Sequence, residues 1–268
     1  MRRVHLALAV LALLLCYAQT LRGMITQWWN DEDMGHGFAV PVVIAWLLWR
    51  ERARWLHLPL QPSRWGFLVL AAGAALQIAG ALGAGLFAAS LGFLISIAGV
   101  VLCLAGFVWL RTWTFPFVLA LFMLPKLAIV YNQMTLPLEL LATRLAGAML
   151  SLAGFAVTRQ GNILGVAGHQ ISVVEACNGI RYLLPLCFLT LVFGYVADSP
   201  LWTRITLVAL AVPLAIGANA LRVAVSGLSP ALISGIFHPA LGVLAFIVCF
   251  IVLLTAHSFF RLLGSRPE

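Results

Sequence analysis

Between Arg64 and Arg111 the chain runs for 46 residues without a single Asp, Glu, Lys or Arg. A helix crossing the hydrocarbon core of a bilayer needs about 20 apolar residues, so this interval is long enough for two crossings. The segment Gly80-Ala81-Leu82-Gly83-Ala84-Gly85 inside it supplies the turn between them. No water-soluble domain could bury so long an apolar run, and the rest of the chain has the same character. Of its 268 residues 63% are hydrophobic and 9% charged, with a mean hydropathy of +1.06. The expectation is an all-α, polytopic integral membrane protein forming one transmembrane domain over residues 1–268. No soluble domain, low-complexity linker or internal repeat stands out.

The formal net charge of +8 raises the question of an anionic partner. The basic residues form no continuous stripe. They gather at the ends of apolar runs, as Arg2-Arg3 and as Arg50, Arg52, Arg54 and Arg64. Retention of Arg and Lys on the cytoplasmic side of a bilayer explains that distribution with the lipid bilayer as the only partner and no nucleic acid. The N-terminal basic pair and following apolar run have the outline of a signal peptide. A small-x-small cleavage site is missing, and Cys16-Tyr17-Ala18-Gln19-Thr20 continues the run, so the first helix is read as retained.

Apolar runs and their flanking charges predict helices at 4–21, 37–50, 65–83, 86–110, 113–131, 180–197, 204–224 and 239–261. With about eight crossings, the Arg2-Arg3 pair, the Arg50–Arg64 group, Arg111, Arg204, and Arg261 with Arg266 share one side. That side is the cytoplasm, with both termini inside. The segment 132–176 fits less simply. Leu136 to Val157 is long enough to cross but carries Glu139 and Arg144, which at i, i+5 lie roughly 140° apart on a helix. An interfacial or re-entrant helix is expected there. The β-branched alternation of Ile171-Ser172-Val173-Val174, after turn-forming Thr158–Asn162 and Val166–Gln170, predicts a small extended hairpin.

That hairpin leads into Val174-Glu175-Ala176-Cys177-Asn178-Gly179-Ile180-Arg181, the densest polar cluster in an otherwise lipid-soluble chain. Polar groups at membrane depth cost free energy and mark functional sites. The thiolate, not the thiol, is the nucleophile, and a position at a helix N-terminus beside an arginine favours it. Cys177 precedes the helix predicted at 180–197, and Arg181 would sit one turn away. Glu175 opposes that effect unless it pairs with an arginine. The plainer alternative is a buried Glu175–Arg181 ion pair with Cys177 as filler. The other four cysteines, Cys16, Cys103, Cys187 and Cys249, lie inside apolar runs and read as small hydrophobes.

Two further residues converge on this end of the bundle. Arg222 closes the seventh helix with Asn219 one turn before it, and His238 opens the eighth ahead of Pro239. An arginine at the bilayer centre costs about 2.5–3.5 kcal/mol on insertion scales, so Arg222 should face protein or water unless it snorkels to the interface. Successive antiparallel helices bring Cys177, Arg222 and His238 to one face, together with the acidic segment Asn30-Asp31-Glu32-Asp33 and His36. A thiol with an imidazole base and a guanidinium donor suits acyl transfer. His36, His169 and Glu32 are weaker candidates. His5, His57 and His257 flank helices on the opposite side and need no function. No ligand spacing or phosphate loop calls for a metal or an organic cofactor.

These residues resemble the exosortase/archaeosortase family of multi-spanning membrane transpeptidases. The resemblance runs through Gly35-His36-Gly37-Phe38-Ala39-Val40-Pro41 with Trp46-Leu47-Leu48-Trp49-Arg50, then Gly161-Asn162-Ile163 and the Glu175–Arg181 element. It closes with Asn219-Ala220-Leu221-Arg222 and His238 with Gly242 and Phe246, covering about residues 30–250. It implies Cys177 as the nucleophile of an acyl-thioester, Arg222 as the essential arginine and His238 as the third catalytic residue. Glu175, Asn178, Arg181, Asn219 and His36 support them. The implied partners are exported proteins with a C-terminal sorting signal: a Pro-Glu-Pro-type motif, one transmembrane helix and a basic tail. The implied setting is the bacterial inner membrane, with the active site facing the periplasm and a link to exopolysaccharide-associated export. Met34-Gly35 stands where the family often has an aromatic-Ser pair, and Asn178 where Ser is common, which leaves the recognition motif open.

Two readings of other classes use the same charges: a small-solute transporter and a non-catalytic component of polysaccharide export. The transporter reading lacks the internal repeat such folds show. The charge pattern itself gives a test of topology. Reporter fusions after Arg54, Arg111 and Glu268 should read cytoplasmic, and fusions near Asp31, Gly168 and Ser229 extracytoplasmic. A cytoplasmic reading at Gly168 would put Cys177 on the wrong side for sorting exported proteins.

Overall fold

Lipid offers no partner to a polar side chain, so the polar residues within apolar helices must find one another, and the first helices show this directly. The computed structural model describes residues 2–166, 168–173, 179–229 and 237–264. These residues form two compact units, one up to Leu127 and one from Ala128 onward. In the first unit, α1 (Arg2–Cys16) and α2 (Ala18–Asn30) replace the single helix expected at 4–21. They meet at Tyr17 with a 65° bend. The Tyr17 hydroxyl, buried beside Ser96, shares a 2.7 Å hydrogen bond with its Oγ, and the Tyr17 ring packs on Phe93. One turn later Thr20 Oγ1 donates to Gln77 at 2.9 Å.

The charge-free interval folds back on itself, as expected, between α5 (Trp65–Ala79) and α6 (Gly85–Leu104). The turn uses Gly83 and Gly85, whose φ values of 130° and 84° are strained for any other residue. Packing explains the remaining glycines. Gly66, Gly73 and Gly80 recur every seven residues and lie against Cys103 and Gly99, Ser96 and Gly92, and Ala89 respectively. A Cβ at Gly73 would run into Ser96 and come within 2.8 Å of the Gly92 carbonyl oxygen. Small residues permit this close approach of two backbones where no hydrophobic drive pulls helices together. The heptad of glycines is visible in the sequence, although the sequence reading took from it only the turn.

α3 (Ala39–Arg50) follows a single 3₁₀ turn at Gly35–Phe38, and α4 (Arg52–Leu56) leads towards α5. The helix expected at 86–110 breaks after Leu104, because Gly106, at φ 92°, passes against the Gln61 carbonyl. α7 (Phe107–Thr112) and α8 (Thr114–Ala120) come next. Helical structure expected up to 131 ends with a 3₁₀ turn at Leu121–Met123. Leu124 there is extended, the conformation imposed on a residue that precedes proline, here Pro125.

In the second unit α9 (Ala128–Leu152) runs uninterrupted over 25 residues with Pro137 inside it. The expectation of an interfacial or re-entrant helix at 136–157 is corrected to this extent: α9 begins eight residues earlier and is long and apolar enough to cross a membrane. Its two charges part as their angular separation requires, with Glu139 buried and Arg144 exposed. The expected hairpin is a three-stranded antiparallel meander: β1 (Val157–Gln160), β2 (Ile163–Val166) and β3 (His169–Ser172), with β2 in the centre. Leu164, Val166 and Val173 turn inward onto Ala142, Ala146 and Leu150 of α9 and Val223 and Ala224 of α11.

α10 (Ile180–Val196), α11 (Leu201–Gly227) and α12 (Phe237–Gly264) complete the unit. α12 shows the two faces of a membrane helix. Val243, Leu244, Ile247, Val248 and Ile251 are exposed, whereas Cys249, Leu253 and His257 are buried at four-residue steps on the other side. His257 shares a 2.7 Å hydrogen bond with Ser199 Oγ.

Each of the eight expected helices has a counterpart among the described residues. Trp65–Leu104, Ala128–Leu152, Leu201–Gly227 and Ala240–Leu262 are long and apolar enough to cross a bilayer, as is the bent α1–α2 pair if it acts as one. Gly35–Arg50, Thr114–Met123 and Ile180–Val196 are apolar but shorter. The protein is an all-α polytopic membrane protein with one small sheet.

Candidate functional site

Glycine begins the construction of the site. Gly179 caps α10 with φ 84° and ψ −11°, a left-handed conformation that suits a residue without Cβ. Its carbonyl accepts the amides of Tyr182 and Leu183, which starts the helix two residues after Cys177. The same Gly179 packs on α11, where a Cβ in its place would lie 3.4 Å from the Asn219 Cβ. α10 therefore begins directly beside the Asn219 turn of α11. Glu175, Cys177 and Asn178 themselves fall outside the described residues.

Asn219, Arg222 and Ser226 share one buried face of α11 at spacings of three and four residues. Arg222 does not snorkel: it is only 3% exposed, as a functional reading of an intramembrane arginine requires. Its Nη1 donates to the Tyr182 hydroxyl at 2.8 Å, and its guanidinium carbon lies 5.4 Å from the centre of the Tyr182 ring. Hydrogen bond and cation–π contact thus fix the guanidinium plane from the α10 side. Ser226 Oγ is buried without a hydrogen-bond partner among the described residues. A cavity of about 10 Å³, lined by Tyr182, Asn219, Arg222, Phe246 and Cys249 among others, adjoins the guanidinium. It has room for about one water molecule.

α12 closes the third side. His238 lies in its first turn, at the helix start expected from His238-Pro239, and its side chain falls outside the described placements. One turn later Gly242 sits so tightly against the Tyr182 hydroxyl that a Cβ could not be accommodated. Tyr182 is therefore the keystone joining α10, α11 and α12, and sequence reasoning missed it. The signal was present: a tyrosine in the first helical turn after the polar cluster, next to Arg181, with a glycine one turn beyond His238. Arg181 is half-buried in the same turn.

His36 belongs to the first unit. Its two ring nitrogens lie 3.1 Å from the carbonyl oxygens of Asp33 and Phe122. A neutral imidazole can donate to one of these at a time, an imidazolium to both. The acidic segment beside it is held by Lys126, the chain's single lysine, at 2.8 Å from Asp31 and 2.6 Å from Asp33. Trp28 Nε1 adds a bond to the Met123 carbonyl. His36 thus helps fasten the turn before α3 to the segment after α8. No three His, Cys, Asp or Glu side chains among the described residues gather closely enough to hold a metal ion.

An α-helical membrane bundle with a buried arginine held by a tyrosine of the neighbouring helix defines a class of intramembrane polar site. The particular family follows from comparison: residues 28–255 match the family described as transmembrane exosortase (Exosortase_EpsH), and the chain belongs to it. No curated protein and no solved structure matches the chain.

The Tyr182 contacts give a direct test. Tyr182→Phe removes the acceptor for Arg222 but keeps the ring, and Gly242→Ala pushes a methyl into the space of the hydroxyl. Both should leave the protein in the membrane at normal abundance. If Arg222 serves the activity proposed below, both should weaken it, Gly242→Ala the more, since overpacking typically costs about 1–3 kcal/mol. Wild-type activity in both variants would remove Tyr182 from the site.

Proposed function

We propose that the protein is a membrane cysteine transpeptidase that cleaves the C-terminal sorting signal of exported proteins. The observation that carries the reading is the junction of Gly179 with Asn219. It brings the chain two residues beyond Cys177 against the same helix face that presents Arg222, in a chain of the exosortase family.

In this reading the Cys177 thiolate attacks the scissile carbonyl carbon of the sorting signal, forming a C–S bond and a tetrahedral oxyanion. His238 takes the thiol proton beforehand and returns it to the leaving nitrogen. The C–N bond then breaks, releasing the transmembrane helix and basic tail and leaving an acyl-thioester on Cys177. An acceptor nucleophile attacks the thioester and regenerates the thiol. Arg222, already oriented by Tyr182, donates to the oxyanion as it develops. Donors fixed before the reaction need no reorganisation during it, and losing one such donor commonly costs about 100- to 1000-fold in rate. Asn219 and Gly179 keep the cysteine segment against α11, and Arg181 adds positive charge near the thiolate. Glu175 and Asn178 flank the nucleophile, and His36 stiffens the turn before α3. The active site faces the periplasm from the inner membrane, where exported substrates arrive.

The variants separate these roles. Cys177→Ala should abolish processing at normal membrane abundance. Arg222→Lys keeps the charge but loses the planar fork of donors, so a severe processing defect is expected there as well. His238→Ala should slow acylation and recover part of the rate at higher pH, where more of the thiol ionises unaided. Leu-to-Ala changes one turn away should leave processing nearly intact. Release of the C-terminal tail by Cys177→Ala at the wild-type rate would overturn the assignment and return the charged cluster to a structural or transport role.

A further inference from the structure

A buried carboxylate that the proposed chemistry does not use lies beneath the strands leading to Cys177. Glu139 of α9 is 6% exposed, on the face that also carries Ala142, Ala146 and Leu150. Removing a carboxylate from water is costly unless hydrogen bonds compensate. Asn162, in the tight turn between β1 and β2, donates from its Nδ2 to Glu139 Oε2 at 3.3 Å and to the Val173 carbonyl oxygen at 3.0 Å. The Val173 amide in turn donates to the Asn162 carbonyl at 2.9 Å. Both backbone groups of Val173 are thus held by one residue, whose amide is itself aimed by Glu139. Val173 is buried, and the next residue begins the segment 174–178.

We infer that Glu139 is a positioning residue: through Asn162 it latches Val173 and so fixes where the chain departs towards Cys177. The opposite end of that segment is fixed by Gly179 on Asn219. The described residues on either side of Cys177 are accordingly both held, Val173 by α9 through Asn162 and Gly179 by α11 directly. The geometry makes Glu139 and Asn162 one unit in which the carboxylate sets the amide's orientation and the amide sets the backbone. Its catalytic consequence rests on the reading of Cys177 as nucleophile, whereas the latch itself does not.

The test uses the full chain in lipid nanodiscs and two readouts. Hydrogen exchange at the Val173 amide reports the latch whatever the protein's activity. Glu139→Ala and Asn162→Ala should each speed that exchange about tenfold or more, the effect of leaving a buried hydrogen-bond partner unsatisfied. Exchange in the middle of α11 and α12 should be unchanged. Glu139→Gln keeps an acceptor in the same place and should exchange within about twofold of wild type. The double variant should be no faster than the faster single one, because both act through one chain of bonds. In the processing assay the two alanine variants should lower kcat with KM preserved, and Glu139→Gln should restore it. Wild-type exchange in Glu139→Ala, multiplicative effects in the double variant, or a Glu139→Gln as fast as Glu139→Ala would each overturn the latch. A latch upheld by exchange with processing indifferent to Cys177 would instead overturn the transpeptidase reading alone.

Discussion

The Arg222 guanidinium, 3% exposed, lies within a helical bundle whose outer faces are apolar. An unpartnered charge there would be expensive, and the surrounding helices are arranged around that requirement. Tyr182 meets it from α10 with a hydroxyl and a ring face. Gly242 on α12 leaves room for that hydroxyl, and Asn219 continues the polar face towards Gly179. Three helices thus meet around one side chain. The guanidinium plane is held by one hydrogen bond and one ring face, the preorganisation that the proposed role of Arg222 draws on.

Elsewhere the same constraint works with smaller groups. Tyr17 with Ser96 and Thr20 with Gln77 each partner a hydroxyl that would otherwise lie unpaired among apolar helices. His257 with Ser199 does so at the far end of α12. Where neither polar pairing nor hydrophobic drive is available, as between α5 and α6, close contact of glycines supplies the packing. The small sheet beside α9 is the exception in a helical protein. Its inward residues Leu164, Val166 and Val173 are covered by α9 and α11, while β1 on its outer side is largely exposed.

Much of this was legible in the sequence because hydropathy and charge are one-dimensional signals. The charge-free interval gave the α5–α6 hairpin and its glycine turn, and the β-branched alternation gave strands ahead of Cys177. The start of α10 followed from its apolar run and that of α12 from His238-Pro239. What failed depended on partners distant in the chain. The bend at Tyr17 accompanies a bond to Ser96, 79 residues away. The helix at 136–157 was expected to be interfacial or re-entrant because Glu139 and Arg144 form no single polar stripe, and Asn162, which donates to Glu139, sits 23 residues later. Tyr182 was passed over because its place beside Arg181 gains meaning only once Arg222, 40 residues away, is set against its hydroxyl. Family resemblance supplied roles for Cys177, Arg222 and His238. The structure contributed the contacts around Arg222 and the fixed points on either side of the cysteine segment.

The central claim is that Cys177 carries the acyl group between cleavage and transfer. Mass spectrometry of the purified protein, quenched in acid while processing a sorting-signal substrate, tests it most directly. The account predicts a covalent adduct of the substrate's upstream fragment on the peptide containing Cys177, discharged by hydroxylamine and absent from Cys177→Ala. An adduct that persists in Cys177→Ala, or cleavage by that variant at the wild-type rate, would contradict it.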